Sequence, residues 1–259
     1  MGYSLVTGAT GVLGKEFCKH LVLTDDLFLT GRSLEKLTAL KGELLQINPL
    51  AKILIFAADL TDFTDRQNLF AYADQNGARF GGAFLVAGVD TQKAFEKYTS
   101  EKITFQIRVN FESVVDLTRG ILARREKDLK LLAVASMCGT VPMPYFAVYS
   151  ATKAAVINFF QALRYEVKDA KITTLIPGSI PTRDDIKKDI ELQGWTGKTS
   201  AKSPDFVVKK ALKGLNQNKA KVIPGLFNKA VYFFEKITPT FIRNAIIANK
   251  FKNKEKDHF

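Results

Sequence analysis

Tyr3-Ser4-Leu5-Val6-Thr7-Gly8-Ala9-Thr10-Gly11-Val12-Leu13-Gly14 runs from a short apolar strand through a glycine-rich turn into a helix that reaches Leu23. Order matters more here than glycine count. Glycines set between a strand and a helix allow a tight turn, close approach of backbone N–H groups to a pyrophosphate, and close packing of helix on strand. Gly8, Gly11 and Gly14 occupy that place, so the stretch predicts a βα turn of the dinucleotide-binding kind.

The same alternation continues outward. Strands are expected over 27–30, 52–57, 82–86, 131–135, 172–176 and 221–223, and helices over 33–46, 101–126, 149–168 and 203–216. Strand following helix in this way predicts an α/β domain, a doubly wound parallel sheet with helices on both faces. Ligands in such sheets bind at the carboxyl ends of the strands, near the switch point. The second strand ends in Gly31-Arg32, which offers no carboxylate for ribose hydroxyls but a guanidinium able to clamp a 2′-phosphate. NADP(H) is therefore expected in preference to NAD(H). The third ends at Asp59-Leu60, with Asp59 placed to accept from an adenine amine and Thr61 or Asp62 available to cap the next helix. Ala87-Gly88 after the fourth strand is small enough for a ligand to approach the backbone. Pro177-Gly178 stops the sixth, and Thr182 adds a hydroxyl. Residues 183–202, with the single tryptophan Trp195, read as a lid.

The chemistry gathers after the fifth strand. Tyr149 and Lys153 are four residues apart, which on a helix places them on one face. A phenol beside a fixed ammonium has its anion favoured, so its pKa is expected to fall from about 10 toward neutrality. Such a group can hand a proton to a carbonyl oxygen near neutral pH. Ser136, thirteen residues earlier, stands at the strand end, where it can hydrogen-bond the same oxygen. Asn110 lies inside a long helical stretch, an unfavourable place for an asparagine unless its amide has a task.

Composition narrows the alternatives. The 259 residues suit one α/β domain or two small ones and can bury a substantial core. Cys18 and Cys138 are far apart, without metal-like spacing, and read as small buried residues of a reducing compartment. His20 and His258 leave little material for a metal site or a Ser-His-Asp triad, so no metal is expected. No signal peptide is expected ahead of the first strand, and no run reaches the length of a membrane span. A cytoplasmic protein is expected. The net charge of +12 is unevenly placed. Residues 198–259 hold 14 Lys and Arg against 4 Asp and Glu, a net of +10, leaving +2 for residues 1–197.

Taken together, these residues resemble the short-chain dehydrogenase/reductase family, Rossmann-fold enzymes with a Ser-Tyr-Lys centre. The resemblance covers about residues 3–225. It implies a seven-stranded sheet in the order 3-2-1-4-5-6-7 and a catalytic set of Asn110, Ser136, Tyr149 and Lys153. It implies cofactor contacts from Thr7, Gly8, Thr10, Gly11, Val12, Leu13 and Gly14, from Asp59 and Leu60, and from Ala87, Gly88, Tyr149, Lys153, Pro177, Gly178 and Thr182. Tyr149 would protonate the carbonyl oxygen during hydride transfer. Lys153 would lower the tyrosine pKa and hold the nicotinamide ribose, and Asn110 would hold a water linking Lys153 to solvent. Two departures stand out. The spacing Gly8-x-x-Gly11-x-x-Gly14 is nearer the extended, epimerase-like branch, and Leu85-Val86 replaces two asparagines before Ala87-Gly88. The combination is similar to reductases of lipophilic carbonyls (ketone, acyl or steroid-like), and a homodimer or homotetramer is expected. An NAD-dependent epimerase or dehydratase remains an alternative, as does a non-catalytic dinucleotide sensor or scaffold.

Residues 226–259 form a separate unit in this reading, a basic helical extension to a reductase domain of residues 1–225. Its aromatic and aliphatic residues, interleaved with Lys and Arg, permit packing on the domain or a neighbouring subunit, or peripheral contact with an anionic membrane surface. No nucleic-acid binding is expected, because no reading motif accompanies the lysines. The last nine residues are expected to fray.

Overall fold

A computed structural model describes residues 2–182, 184–192, 194–252 and 255–257. In chain order it begins β1 (Tyr3–Thr7), α1 (Val12–Leu21), β2 (Leu27–Gly31), α2 (Leu34–Ile47), β3 (Ile53–Ala57), α3 (Phe63–Gln75), β4 (Phe80–Leu85) and β5 (Thr91–Gln92). It continues with α4 (Ser100–Ile107), α5 (Ser113–Ala123), β6 (Arg125–Val134), α6 (Ala147–Glu166), β7 (Ala170–Leu175), α7 (Asp184–Leu192) and α8 (Gly194–Ser200). The last elements are α9 (Pro204–Asn216), β8 (Lys221–Val222), α10 (Leu226–Ile237), α11 (Thr240–Phe251) and β9 (Lys256–Asp257).

Seven parallel strands form one sheet in the order β3-β2-β1-β4-β6-β7-β8. This is the order expected from the resemblance once β5 is set aside, since β5 pairs with β9 in a separate ribbon. Successive side chains of a strand point to opposite faces, and the sequence uses both. Leu5, Phe28, Ala83 and Leu131 join one core beneath α3, α5 and α6. Val6, Leu29, Phe84 and Leu132 join the other, beneath α1, α2 and α9. Burial on both faces explains why these strands read as continuous apolar runs. The order reverses between β1 and β4, which opens the crevice at their carboxyl ends.

Helix starts follow local chemistry. Ser33 Oγ accepts from Lys36 N at 3.2 Å to begin α2, Asp62 Oδ1 from Asp65 N at 3.1 Å to begin α3, and Ser203 Oγ from Phe206 N at 3.3 Å to begin α9. Helix α1 is different: it starts after Gly11 with no side-chain cap. The orphan N–H groups of its first turn therefore face the crevice unsatisfied by the protein's own side chains.

Two expectations need correction. The long helix over 101–126 is α4 and α5 joined by a π-helical turn, Arg108–Glu112, and it ends at Ala123. Arg125 already pairs with Phe80 as β6 begins, and the charged start of that strand (Arg125-Glu126-Lys127-Asp128) projects past the cores, which is why it lacks a strand's apolar signature. The described part of residues 183–202, the segment read as a lid, folds as α7 and α8. Within the last nine residues, Lys256–Asp257 pair antiparallel with Thr91–Gln92 instead of fraying.

Candidate active site

Backbone, not side chain, shapes the floor of the crevice. Gly8 holds φ +61, and a Cβ there would stand 2.9 Å from Ala87 Cα. A Cβ on Gly14 would overlap the Gly8 carbonyl oxygen, so only glycine lets α1 sit this close to the turn. Gly11 N closes the turn onto Gly8 O at 3.0 Å. Thr10 lies against Gly31 at the end of β2, Val12 is exposed, and Leu13 reaches the cavity wall. A tight turn closed between two glycines before an uncapped helix fits a pyrophosphate-bearing dinucleotide. Thr7 is buried, and its hydroxyl accepts from Val86 N at 3.0 Å and Ala87 N at 3.1 Å. Its side chain thus fastens β1 to the loop after β4.

At the neighbouring strand ends, Arg32 is exposed beside the turn. Asp59 Oδ1 accepts from Thr61 N and Thr61 Oγ1 at 2.9 and 2.8 Å, while Asp62, not Thr61, caps α3. Leu60 packs in the core, and its carbonyl accepts from Arg66 Nη1 at 2.7 Å.

The other half of the crevice opens into a cavity of about 600 Å³ lined by Ser136, Tyr149 and Lys153. Lys153 is buried, its Nζ donating to Val134 O at 2.9 Å and lying 5.8 Å from the centre of the Tyr149 ring. Burial brings its pKa down to about 8, against a small upward pull from Asp90. Helix α6 comes this close to β6 because Gly139 has no Cβ; one there would sit 2.7 Å from the Lys153 carbonyl carbon. Gly88 plays the matching part on the β4 side, where a Cβ would lie 3.0 Å from Lys153 Nζ. Ser136 Oγ accepts from Cys138 N at 3.1 Å, which aims the hydroxyl at the strand end. The Cys138 thiol, pushed up to about 11 mainly by burial, stays protonated on the cavity wall.

Asn110 sits in the π-helical turn, fully buried. Its Oδ1 accepts from Val89 N at 2.8 Å; its Nδ2 donates to Val89 O at 2.8 Å and to Thr152 Oγ1 at 3.2 Å. The amide clamps the loop after β4 onto α6. Pro177 is buried, its carbonyl accepting from Met137 N at 3.0 Å. Gly178 leaves room for Asn228 and Ser200, and Thr182 lines the cavity.

The sequence reading missed what closes the cavity. Glu235 of α10 and Ile246, Ile247 and Phe251 of α11 all line it. Phe251 stands edge-on to Phe146, centroids 5.4 Å apart. Glu235 Oε2 accepts from Thr140 Oγ1 at 2.8 Å, and half-burial raises its pKa. Asn228 latches the cover: its Nδ2 donates to Pro224 O at 2.8 Å and Ser200 O at 3.0 Å, while Ser200 Oγ donates to its Oδ1 at 2.8 Å. The sequence signal for this latch is an Asn two residues into an apolar helix.

Comparison with known proteins agrees with this geometry. The family model for short chain dehydrogenase matches residues 3–191. An 11-beta-hydroxysteroid dehydrogenase-like 2 of Arabidopsis thaliana is 24% identical over 242 residues, covering 92% of this chain and 78% of the relative. A structure concerned with 7beta-hydroxysteroid dehydrogenase stereoselectivity superposes with a TM-score of 0.85 at 22% identity, covering 95% of this chain and 96% of the other. A short-chain dehydrogenase from Sphingobium yanoikuyae in complex with NADPH superposes with a TM-score of 0.78 at 20% identity over the whole of both chains. The chain belongs to the short chain dehydrogenase family and is by that membership an oxidoreductase.

Proposed function

We propose that this short chain dehydrogenase is an NADP(H)-dependent carbonyl reductase, working on lipophilic ketone, acyl or steroid-like substrates. The observation that carries the reading is one cavity with Ser136, Tyr149 and Lys153 on its polar wall and Ile246, Ile247 and Phe251 on its cover. The steroid-related relatives and the NADPH-bound structure support it by similarity. Arg32, at the end of β2 without a neighbouring carboxylate on the strand, is the group for a 2′-phosphate.

NADPH, when bound, supplies the hydride. Tyr149 gives its phenolic proton to the carbonyl oxygen as the carbonyl carbon accepts that hydride, and Ser136 donates a hydrogen bond to the same oxygen. Lys153 keeps a positive charge beside the phenol, fixed by Val134 O, and so favours the tyrosinate left behind. Asn110 acts through Val89, positioning the loop that faces the nicotinamide end. The backbone of 7–14, with Ala87, Gly88, Pro177, Gly178 and Thr182, lines the dinucleotide's path. Residues 1–225 make the reductase body and 226–259 its cover, and the assembly is a homodimer or homotetramer.

Tyr149→Phe tests the assignment. Turnover of ketones should fall on the order of a thousandfold, while NADPH fluorescence titration still reports binding. Undiminished turnover would overturn the role of Tyr149; NADH used as well as NADPH would overturn the cofactor preference.

A further inference from the structure

The cover has a second side. Its inner residues close the cavity, whereas Leu226, Phe233, Phe234, Ile237 and Phe241 point outward, Leu226 84% and Phe241 76% exposed. These positions recur along one face of α10 and continue across Pro239 onto α11. Single exposed apolar residues need no explanation, but a contiguous face of five does.

Beside this face lies a second cavity, about 330 Å³, between α9, β8 and the start of α10. Lys210, Lys213, Lys219, Lys221 and Lys229 line it, with no acidic side chain among its lining residues. Among the described residues, none of the five forms an ion pair. Leu226 belongs both to this cavity and to the outward apolar face, so the two features are continuous. Tyr232 joins them from the other side: Lys221 Nζ lies 3.4 Å from its hydroxyl and Lys236 Nζ 5.3 Å from its ring centre.

We propose that this surface docks on an anionic phospholipid leaflet. Phosphate headgroups occupy the five-lysine cavity, and Leu226, Phe233, Ile237 and Phe241 enter the acyl boundary. Charge selects this occupant. A basic, aromatic-bearing helix face is attracted to anionic headgroups. A second copy seated symmetrically on the same face would bring like-charged lysine rims together. Among the described residues no helix is long and apolar enough to cross a membrane, so contact is peripheral. Docking also gives the cover a purpose, and this part rests on the lipophilic-substrate reading. Ile246 is exposed and also lines the active-site cavity, so a substrate dissolved in the leaflet reaches Tyr149 past α11 without crossing water.

Co-sedimentation of the full chain with vesicles of phosphatidylcholine alone, or of three parts phosphatidylcholine to one part phosphatidylglycerol, tests the surface. Binding is expected only to the anionic vesicles, and it should weaken as salt rises from 0.1 to 1 M and screening shortens from about 10 to about 3 Å. Each lysine near the leaflet contributes about fivefold, so Lys210→Gln, Lys213→Gln and Lys229→Gln together should lower the partition coefficient on the order of a hundredfold. Phe233→Ser, Ile237→Ser and Phe241→Ser together should abolish sedimentation yet keep wild-type turnover of a small water-soluble ketone. Absence of wild-type binding to anionic vesicles, or binding indifferent to both triple variants, would overturn the proposal. So would loss of a wild-type dimer in the serine variant, by sedimentation velocity, with no vesicle binding by either protein. Vesicle binding by a chain that reduces no ketone would uphold the docking surface and overturn the proposed function instead.

Discussion

The crevice wall and its cover are built by opposite rules. Around Lys153 three buried polar side chains are each engaged: Thr7 with two backbone amides, Asn110 with Val89 and Thr152, Lys153 with Val134. A buried polar group left unpaired costs about 1–3 kcal/mol, so this wall has few alternative arrangements. The cover is held by a handful of contacts, chiefly Asn228 with Ser200 and Pro224, Thr140 with Glu235, and the short ribbon of β5 with β9. Its outer face is apolar and open. Under the proposed function the contrast separates chemistry from selection: the wall would fix where a proton goes, and the cover would decide what enters.

The comparison breaks most readily at the wall. Tyr149→Phe should depress kcat for small and bulky ketones alike, on the order of a thousandfold; a loss confined to bulky substrates would place Tyr149 among the selecting residues. Next is Lys153, whose pKa stands near 8 in the folded chain against an unperturbed 10.5. Its folded pKa is depressed, so the unfolded chain binds more protons between those values and stability rises with pH across the window. Chemical denaturation without cofactor should show wild type gaining about 3 kcal/mol on Lys153→Met between pH 8 and 10.5. A flat difference would mean that Lys153 is not desolvated.

Cover substitutions should act on KM. Phe251→Ala removes an aromatic wall of the cavity and its contact with Phe146, and should raise KM for a bulky lipophilic ketone about tenfold with little change for a small one. Equal effects on both would merge cover and wall into one unit. The smallest effect is expected at Glu235. Burial raises its folded pKa, so the wild type loses stability as pH rises through that value. Glu235→Gln keeps an acceptor for Thr140 without the charge. Its melting temperature should match wild type near pH 4 and exceed it at pH 7; the reverse order would place a compensating cation beside the carboxylate.

Sequence reading succeeded where one residue type has one physical use. Gly8, Gly14 and Gly88 each mark a place where a Cβ would strike backbone or Lys153, and the apolar strands are buried on both faces. Spacing alone put Tyr149 beside Lys153. It failed where function depends on contacts between distant segments. Nothing local to 251 shows that Phe251 will stand on Phe146, and the charges of 125–128 conceal a strand that outruns its cores. Asn110 was legible as an asparagine with a task, but the observed task is holding Val89, and the turn that aims it is a departure from α-helical period that no propensity reveals. The need for glycine at 139 has no local sign, because the atom a Cβ would strike belongs to Lys153 on the next helix.

That π-helical turn, Arg108–Glu112, amounts to one residue more than an α-helix would need. Buried Arg66 grips it, donating to Glu112 Oε1 at 2.6 Å and to Asp116 Oδ2 at 2.7 Å, one turn further on. In an α-helix each residue advances the face by about 100°. Deleting any one of the five would make the helix more regular and swing Asn110 or its partners about that far out of line. A chain edited this way should fold around a better helix and release the loop after β4 that Asn110 holds, so this segment is less tolerant of deletion than of substitution.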